Sequence, residues 1–440
     1  MPEEYANIQA AIDACQDFDT VVIAAGIYSG SDNCNINFNG KPITVRSTDP
    51  TDPQIVNSTI IDCEGNWRGF VFQTAEDADS KVAGLTITNG YGLLGGAIYS
   101  CSNSRPSITN CVVKNNSAVY GGGIACTNGK SYPVITNCQI TANSALVEGG
   151  GFYLNGSNPT IKNCIISGNS ALDGGAISSH NAGKPLITNC TISGNVASNS
   201  AGAIYCYESS DMTVTNSILW DDTADYASEI IVGNSGVATS IHISYCNIQG
   251  GEQNVKLADG CTVEWGEGNI DADPCFVNPD SNDYHLLEES PCIDAGAPDF
   301  VLGSDETDID GNPRVLGEKI DLGADEFVPP IPATVKIMPK TLNLESNGNW
   351  ISCTIELPSE YDIADIDTET IVLNDNVEIG PVWSRTNQGA NKLLVKLSRY
   401  QTQQMLNDIE GLVELTVRGT LIDGMEFKGS DTIRVLKRGQ

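Results

Sequence analysis

The sequence predicts an all-β chain: a right-handed parallel β-helix solenoid of about 26 residues per coil with an N-terminal helical cap, then a C-terminal antiparallel β-sandwich. Three observations predict it. One pattern returns four times with its cysteines 27, 26 and 26 residues apart. The text between copies is rich in glycine and opposes a helix. After a proline-rich break, VPPIPA at 328–333, the period stops and short β-rich runs begin.

The chain begins with YANIQAAIDACQ, which places Ile8, Ile12 and Cys15 on one helical stripe, so residues 1–19 are expected to cap the first coil. The strand TVVIAAGIY follows. The repeats proper read ITNCVVKNNSA from Ile108, ITNCQITANSA from Ile135, IKNCIISGNSA from Ile161 and ITNCTISGNVA from Ile187, each followed by a cluster such as GGGI, GGGF, GGAI or AGAI. Degenerate copies start at Val214 and Ile243. A leucine-rich solenoid shares this length, but its convex side needs a helix or 3₁₀ turn. Here the segment ALVEGGGFYLNGSNPTI carries three glycines, a proline and a strand-like F-Y-L, so three short strands per coil are expected instead.

Equivalent residues of successive coils then stack about 4.8 Å apart as ladders. Cys111, Cys138, Cys164 and Cys190 form one, read as buried thiols. Asn110, Asn137, Asn163 and Asn189 form a second, and Asn116, Asn143, Asn169 and Asn195 a third, whose amides can bond one another and the turn backbone. These ladders are structural.

The paired motifs GGAI and I-S-G-N, as at Ile166–Asn169 and Ile192–Asn195, resemble polymorphic outer-membrane protein repeats within the pectin-lyase-like β-helix superfamily. That resemblance covers about residues 5–290 and implies the fold, while the superfamily's activities range from lyases and hydrolases to adhesins. The segment 271–327, DADPCFVNPDSNDYHLLEESPCIDAGAP through DLGADEF, resembles the closing segment of secreted or surface-anchored β-helices. Cys275 and Cys292, which flank DYHLLEESP, are expected to form a disulfide, with a fully reduced set of 15 cysteines as the alternative. Residues 1–327 thus make one domain and 334–440 another, which resembles the immunoglobulin-like modules of extracellular proteins, with a helix at Thr402–Ile409.

Charge bounds the partners. With 23 Lys+Arg against 56 Asp+Glu the net charge is -33, which repels nucleic acid and anionic lipid. No apolar run is long enough to span a bilayer. An exported, extracellular location is expected from the resemblance, although the sequence opens MPEEYANIQ without a leader-like segment.

Outward positions beside the GGAI strand hold Tyr99, Tyr153, His180, Tyr205 and Tyr207, either a row for stacking sugars or tyrosines at half-exposed strand positions. A pectate-lyase-type reaction needs a cation beside a uronate and an Arg or Lys base. The repeat cations are Arg105, Lys114, Lys130, Lys162 and Lys184, of which Arg105 and Lys184 each precede a turn proline rather than facing the tyrosines, and Glu148 and Asp173 at the glycine corner are the acids that could meet across coils. Glu306, Asp308 and Asp310 match part of a calcium loop, but Gly317 stands where its bidentate glutamate belongs. Bound Ca²⁺ and a solvated acidic face both fit, since residues 250–332 carry 20 acids. The expected function is a non-catalytic surface protein that binds polysaccharide or a cell-surface partner. A polysaccharide lyase or hydrolase and a self-assembling fibre subunit are the alternatives.

Overall fold

A computed structural model describes residues 4–128, 131–233, 236–301, 303, 306–374 and 379–437. The chain divides into two units, Met1–Phe327 and Val328–Gln440.

The first unit is a parallel β-solenoid. Among the described residues its first face has ten strands, from Thr20–Ile23 to Thr262–Trp265. The second has nine, from Gly26–Ser29 to Asn247–Ile248, and the third nine, from Ile36–Asn37 to Lys256–Leu257. A fourth face, six strands from Tyr91–Leu94 to Thr223–Tyr226, departs from the three strands per coil expected. Three of its strands run along S-A-x-x just before a glycine cluster, and a single buried alanine in each of four, Ala118, Ala145, Ala171 and Ala197, gives too short an apolar pattern to announce a strand.

Strict register produces the core. Ile108, Ile135, Ile161, Ile187 and Val214 stack on the first face. Val113, Ile140, Ile166, Ile192 and Leu219 stack on the second, and Ile98, Ile124, Phe152, Ile177 and Ile204 on the third. All are fully buried. The four ladder cysteines lie in this core as free thiols, and burial pushes the Cys138 and Cys164 thiols well up, so they pack as neutral groups. Helix α1, Ile8–Ala14, buries Ile8, Ala11 and Ile12 in the same core and is capped by the Asn7 side chain, which accepts from Ala10 N.

The two asparagine ladders differ. Asn110, Asn137, Asn163 and Asn189 take φ near +50°, which asparagine tolerates, and so turn the chain from the first face into the second. Asn116, Asn143, Asn169 and Asn195 are buried in the corner between second and fourth faces, each Nδ2 donating to the next Oδ1 at 3.0, 3.0 and 2.9 Å, the series ending on Asp222 Oδ1 at 2.8 Å. Asn143 also donates to Val113 O and accepts from Asn116 N. Replacing Asn143 by alanine removes four hydrogen bonds and strands buried partners. The expected loss is about 3 kcal/mol or more, read as a lowered urea midpoint with unchanged m-value.

The segment expected to close the solenoid, 271–327, lies along its second face, over coils from Asn247 back to Asn137. Asn137 Nδ2 donates to Thr307 Oγ1 (3.2 Å), Asn163 Nδ2 to Thr307 O (2.7 Å), and Ala297 N and Gly323 N bond Asn216 (2.9 Å each). Outward-pointing Ile165 is covered by Tyr284 and Ala324, and Ile218 by Leu286, Cys292 and Leu322. Fully buried Arg314 locks this strap on itself through Asp321 O, Gly323 O and the Glu326 carboxylate.

The second unit holds two sheets around one core that includes Ile337, Cys353, Val395, Val417 and Phe427. One is antiparallel, in the order Thr334–Met338, Trp350–Glu356, Lys392–Ser398, Pro381–Asn387. The other pairs Ile366–Leu373, Gly411–Leu421 and Glu426–Leu436 antiparallel, while the short Ile331–Pro332 and Thr341–Asn343 join the last strand in parallel. The expected helix starts earlier, at Arg399–Met405, capped by Ser398.

Candidate functional site

The third face carries the aromatic residues. Tyr99, Tyr153 and Tyr205 occupy one outward ladder, with Ala125 and Ser178 between them, and His180 ends the strand Ile177–His180. Tyr207 follows the strand that holds Tyr205. Their rings make a continuous row: Tyr153 to His180 at 4.8 Å, His180 stacked on Tyr207 at 4.9 Å, and Tyr207 to Tyr205 at 4.7 Å. Tyr99 stands apart, its hydroxyl on Thr127 Oγ1.

Tyr120 extends the row, 4.9 Å from Tyr153. It comes from the fourth face, at the position equivalent to Glu148 and Asp173, immediately before the glycine corner. Because that face was not anticipated, neither was Tyr120. Its signal was its place before GGG, where the other copies carry those two acids.

Burial differs from the expectation of open rings. Tyr153, His180 and Tyr205 are only 6, 5 and 5 % exposed, while Tyr99, Tyr120 and Tyr207 are half-buried. His180, expected at the surface, is enclosed because flat rings on coils one strand spacing apart cover one another. The row offers solvent its rim and the half-buried rings of Tyr120 and Tyr207.

Polar groups line that rim. Glu148 reaches across the glycine corner to accept from Tyr207 Oη (2.9 and 3.0 Å) and Ser178 Oγ (3.0 Å). Glu208 Oε2 lies 3.2 Å from His180 Nδ1, and Asn155 donates to Tyr153 Oη. His180 Nε2 is buried without a partner. Burial, and then Glu148, push the Tyr207 hydroxyl far up; burial pushes Tyr153 up to about 12. Glu148 and Asp173 are register partners, yet Asp173 turns to Asn199 instead. Arg68 stacks 5.5 Å over Tyr99 with its Nε held by Leu94 O and Gly95 O. The repeat cations lie elsewhere: Arg105 on Tyr132, Lys162 on Glu306, Lys184 on Asp211, with Lys130 outside the described residues. The corner is therefore aromatic, hydrogen-bonding and negative.

The acidic segment is arranged differently from the calcium loop its spacing suggested. Glu306, Asp308 and Asp310 do not converge. Glu306 pairs with Lys162. Asp308 is spent on backbone, accepting from the N–H groups of Asp310 and Asn312 in its own turn and from the distant Glu326 N. Asp310 instead meets His285, Nε2 to Oδ2 at 2.8 Å. Asp310, with Asp283 on the ring's other nitrogen and against the effect of burial, raises the His285 pKa to about 10. Burial pushes Asp325 beside them up to about 7.

The disulfide expected between Cys275 and Cys292 is not formed. Cys292 is fully buried under the strap, where its sulfur accepts from Asn247 Nδ2, and Cys275 sits at φ +53° with its thiol on Asp273 O.

A sequence profile described as the right handed beta helix region matches residues 21–153 and 131–276, more than half of the chain. The chain belongs to the right-handed β-helix family. No curated protein matches this β-helix significantly. Among solved structures it is similar to the pectate lyase Pel9A, at 18 % identity over 72 % of this chain and 90 % of that one, with a TM-score of 0.43. At that distance the likeness carries no argument about activity.

Proposed function

We propose that this β-helix is an exported, non-catalytic protein that binds polysaccharide through its aromatic corner, as an adhesive or surface-attachment module. The observation that carries the reading is the unbroken row Tyr120, Tyr153, His180, Tyr207 and Tyr205, rimmed by Glu148, Glu208, Ser178 and Asn155. Sugars bind proteins by laying C–H faces on rings and bonding hydroxyls to carboxylates and amides, and the rim supplies both. Two carboxylates on the rim and a net charge of -33 disfavour a polyuronate, so the ligand is a neutral polysaccharide. Export follows from where such a polymer is found.

Calorimetry against neutral and acidic oligosaccharides tests this. Neutral ligands are expected to bind, and Tyr120→Ala and Tyr207→Ala to weaken them about 3- to 10-fold each, the worth of one ring contact. Binding of polyuronates alone, or affinity indifferent to both substitutions, contradicts the reading. One observation favours a catalytic alternative: the Glu148 carboxylate, held by the Tyr207 hydroxyl and Ser178, is an acid or base positioned at the corner, and Glu148→Gln would abolish turnover if the corner cleaved its ligand.

A further inference from the structure

We propose that His285, Asp310 and Asp325 form a binding site for one divalent transition-metal ion of the Zn²⁺ type, with Asp283 orienting the imidazole. The site lies in the strap, away from the aromatic corner, and does not depend on the polysaccharide reading.

Three separate stretches of sequence build it. Strand Asp283–Leu286, paired with Phe276–Asn278 as a hairpin, carries His285. The turn 308–312 presents Asp310, because Asp308 accepts from Asp310 N at 2.9 Å, Asn312 N at 2.7 Å and Asn312 Nδ2 at 3.1 Å. Asp325 follows Ala324, which is anchored on the solenoid by Thr191 Oγ1 at 3.1 Å. One ligand atom of each, an imidazole nitrogen and two carboxylate oxygens, lies within 4.8 Å of the other two. Around a tetrahedral zinc with ligands at about 2.0–2.2 Å, donor atoms stand about 3.4 Å apart, so small side-chain adjustments bring these three onto an ion.

Two further features point to a ligand. Asp325 is a carboxylate more than nine-tenths buried and directed into the cluster. Its Oδ2 accepts from Leu286 N at 3.1 Å, and among the described residues no group bonds its Oδ1. In a side chain this buried, a carboxylate oxygen left without a donor and facing the cluster is a position that a cation satisfies. The second feature is the imidazole itself. Asp283 Oδ1 bonds Nδ1, the carboxylate–histidine arrangement that orients metal-bound histidines, and Nε2, which here bonds Asp310 at 2.8 Å, is the nitrogen that would exchange this contact for the ion.

The donor set selects the ion. One imidazole and two carboxylates suit Zn²⁺ and its neighbours, whereas Ca²⁺ takes six to eight oxygens and has no use for the ring. This also relocates the metal first sought at Glu306, Asp308 and Asp310: Asp310 is shared, Asp308 positions it, and the other two ligands come from 25 residues upstream and 15 downstream.

The test is calorimetric titration of Zn²⁺ into the chelator-treated full chain, with melting temperature read in parallel. One Zn²⁺ per chain is expected, with a raised melting temperature that Ca²⁺ does not reproduce. His285→Ala is expected to weaken Zn²⁺ at least about 100-fold, an effect read from the binding isotherm and so separate from any apo stability lost with its two ion pairs. Asp283→Asn, which leaves every direct ligand in place, is expected to weaken it about 10-fold. Absence of uptake by the wild type overturns the proposal. So does unchanged uptake by His285→Ala, which would assign the ion to accessible thiols such as Cys275.

Discussion

Alanine in place of Gly150 stops the solenoid from closing. Gly122, Gly150, Gly175 and Gly202 stack at the corner between fourth and third faces, and each faces backbone of the next coil. A Cβ on Gly150 would lie 2.3 Å from Gly175 O and 2.5 Å from Ser170 N; one on Gly122 would lie 2.5 Å from Gly150 O. Ser170 N donates to Asn143 O and Gly150 O accepts from Gly123 N, both bonds between coils, so this backbone cannot move aside without parting them. Room, not φ, is the constraint, since Gly150 is absent from the positive-φ residues. The expected loss is about 4 kcal/mol or more, seen as collapse of the soluble yield or of the urea midpoint. Gly168→Ala is the contrast: it has φ +61° but its nearest neighbour would be 3.9 Å away, so it is expected to cost about 1 kcal/mol.

Stability falls as pH rises from 5 to 8. The asparagine ladder ends on Asp222, which faces Glu229, both at most 2 % exposed. Burial raises the Asp222 pKa to about 7, and burial followed by the Asp222 charge pushes Glu229 well above its usual value. The pair therefore keeps protons in the folded state that the unfolded chain releases near pH 4. Its contribution is complete below pH 4 and is lost as pH climbs through 7, at about 1.4 kcal/mol per unit per proton. Asp325, raised to about 7, and Glu326, raised to about 8, both by burial, act in the same sense. So does His285, raised to about 10 chiefly by Asp310, whose gain is lost above its unfolded value. Melting temperatures across this range measure the slope. Asp222→Asn, which keeps the acceptor for Asn195, is expected to raise stability at pH 8 and flatten the profile; a melting temperature that rises toward pH 8 contradicts the account.

Much of this architecture is legible from spacing alone, because every coil repeats the same local problem. A buried isoleucine, an asparagine at φ near +50° and a glycine where the next coil presses close recur at one period, and each names its own position. What the sequence concealed is held by contacts distant in the chain. Ile165 and Ile218 point outward on the second face where other coils carry Gln139 and Thr191, and such residues need a cover. The cover is supplied over 100 residues later for Ile165, by Tyr284 and Ala324, which spacing cannot reveal. Glu306 was drawn into a supposed calcium loop for the same reason, since its partner Lys162 lies 144 positions earlier. The aromatic residues were visible as outward strand positions, but their mutual burial depends on ring contacts between coils and on the unforeseen Tyr120.

The central claim is that the aromatic corner holds a neutral polysaccharide without cleaving it. The most direct test follows one mixture of protein and polysaccharide by two signals, retardation in polysaccharide-containing gels and the appearance of reducing ends or unsaturated uronates. The account predicts retardation by a neutral polymer, relieved by Tyr207→Ala, with neither product over extended incubation. Steady release of reducing ends or unsaturated uronates, abolished by Glu148→Gln, would contradict it and make the corner an active site.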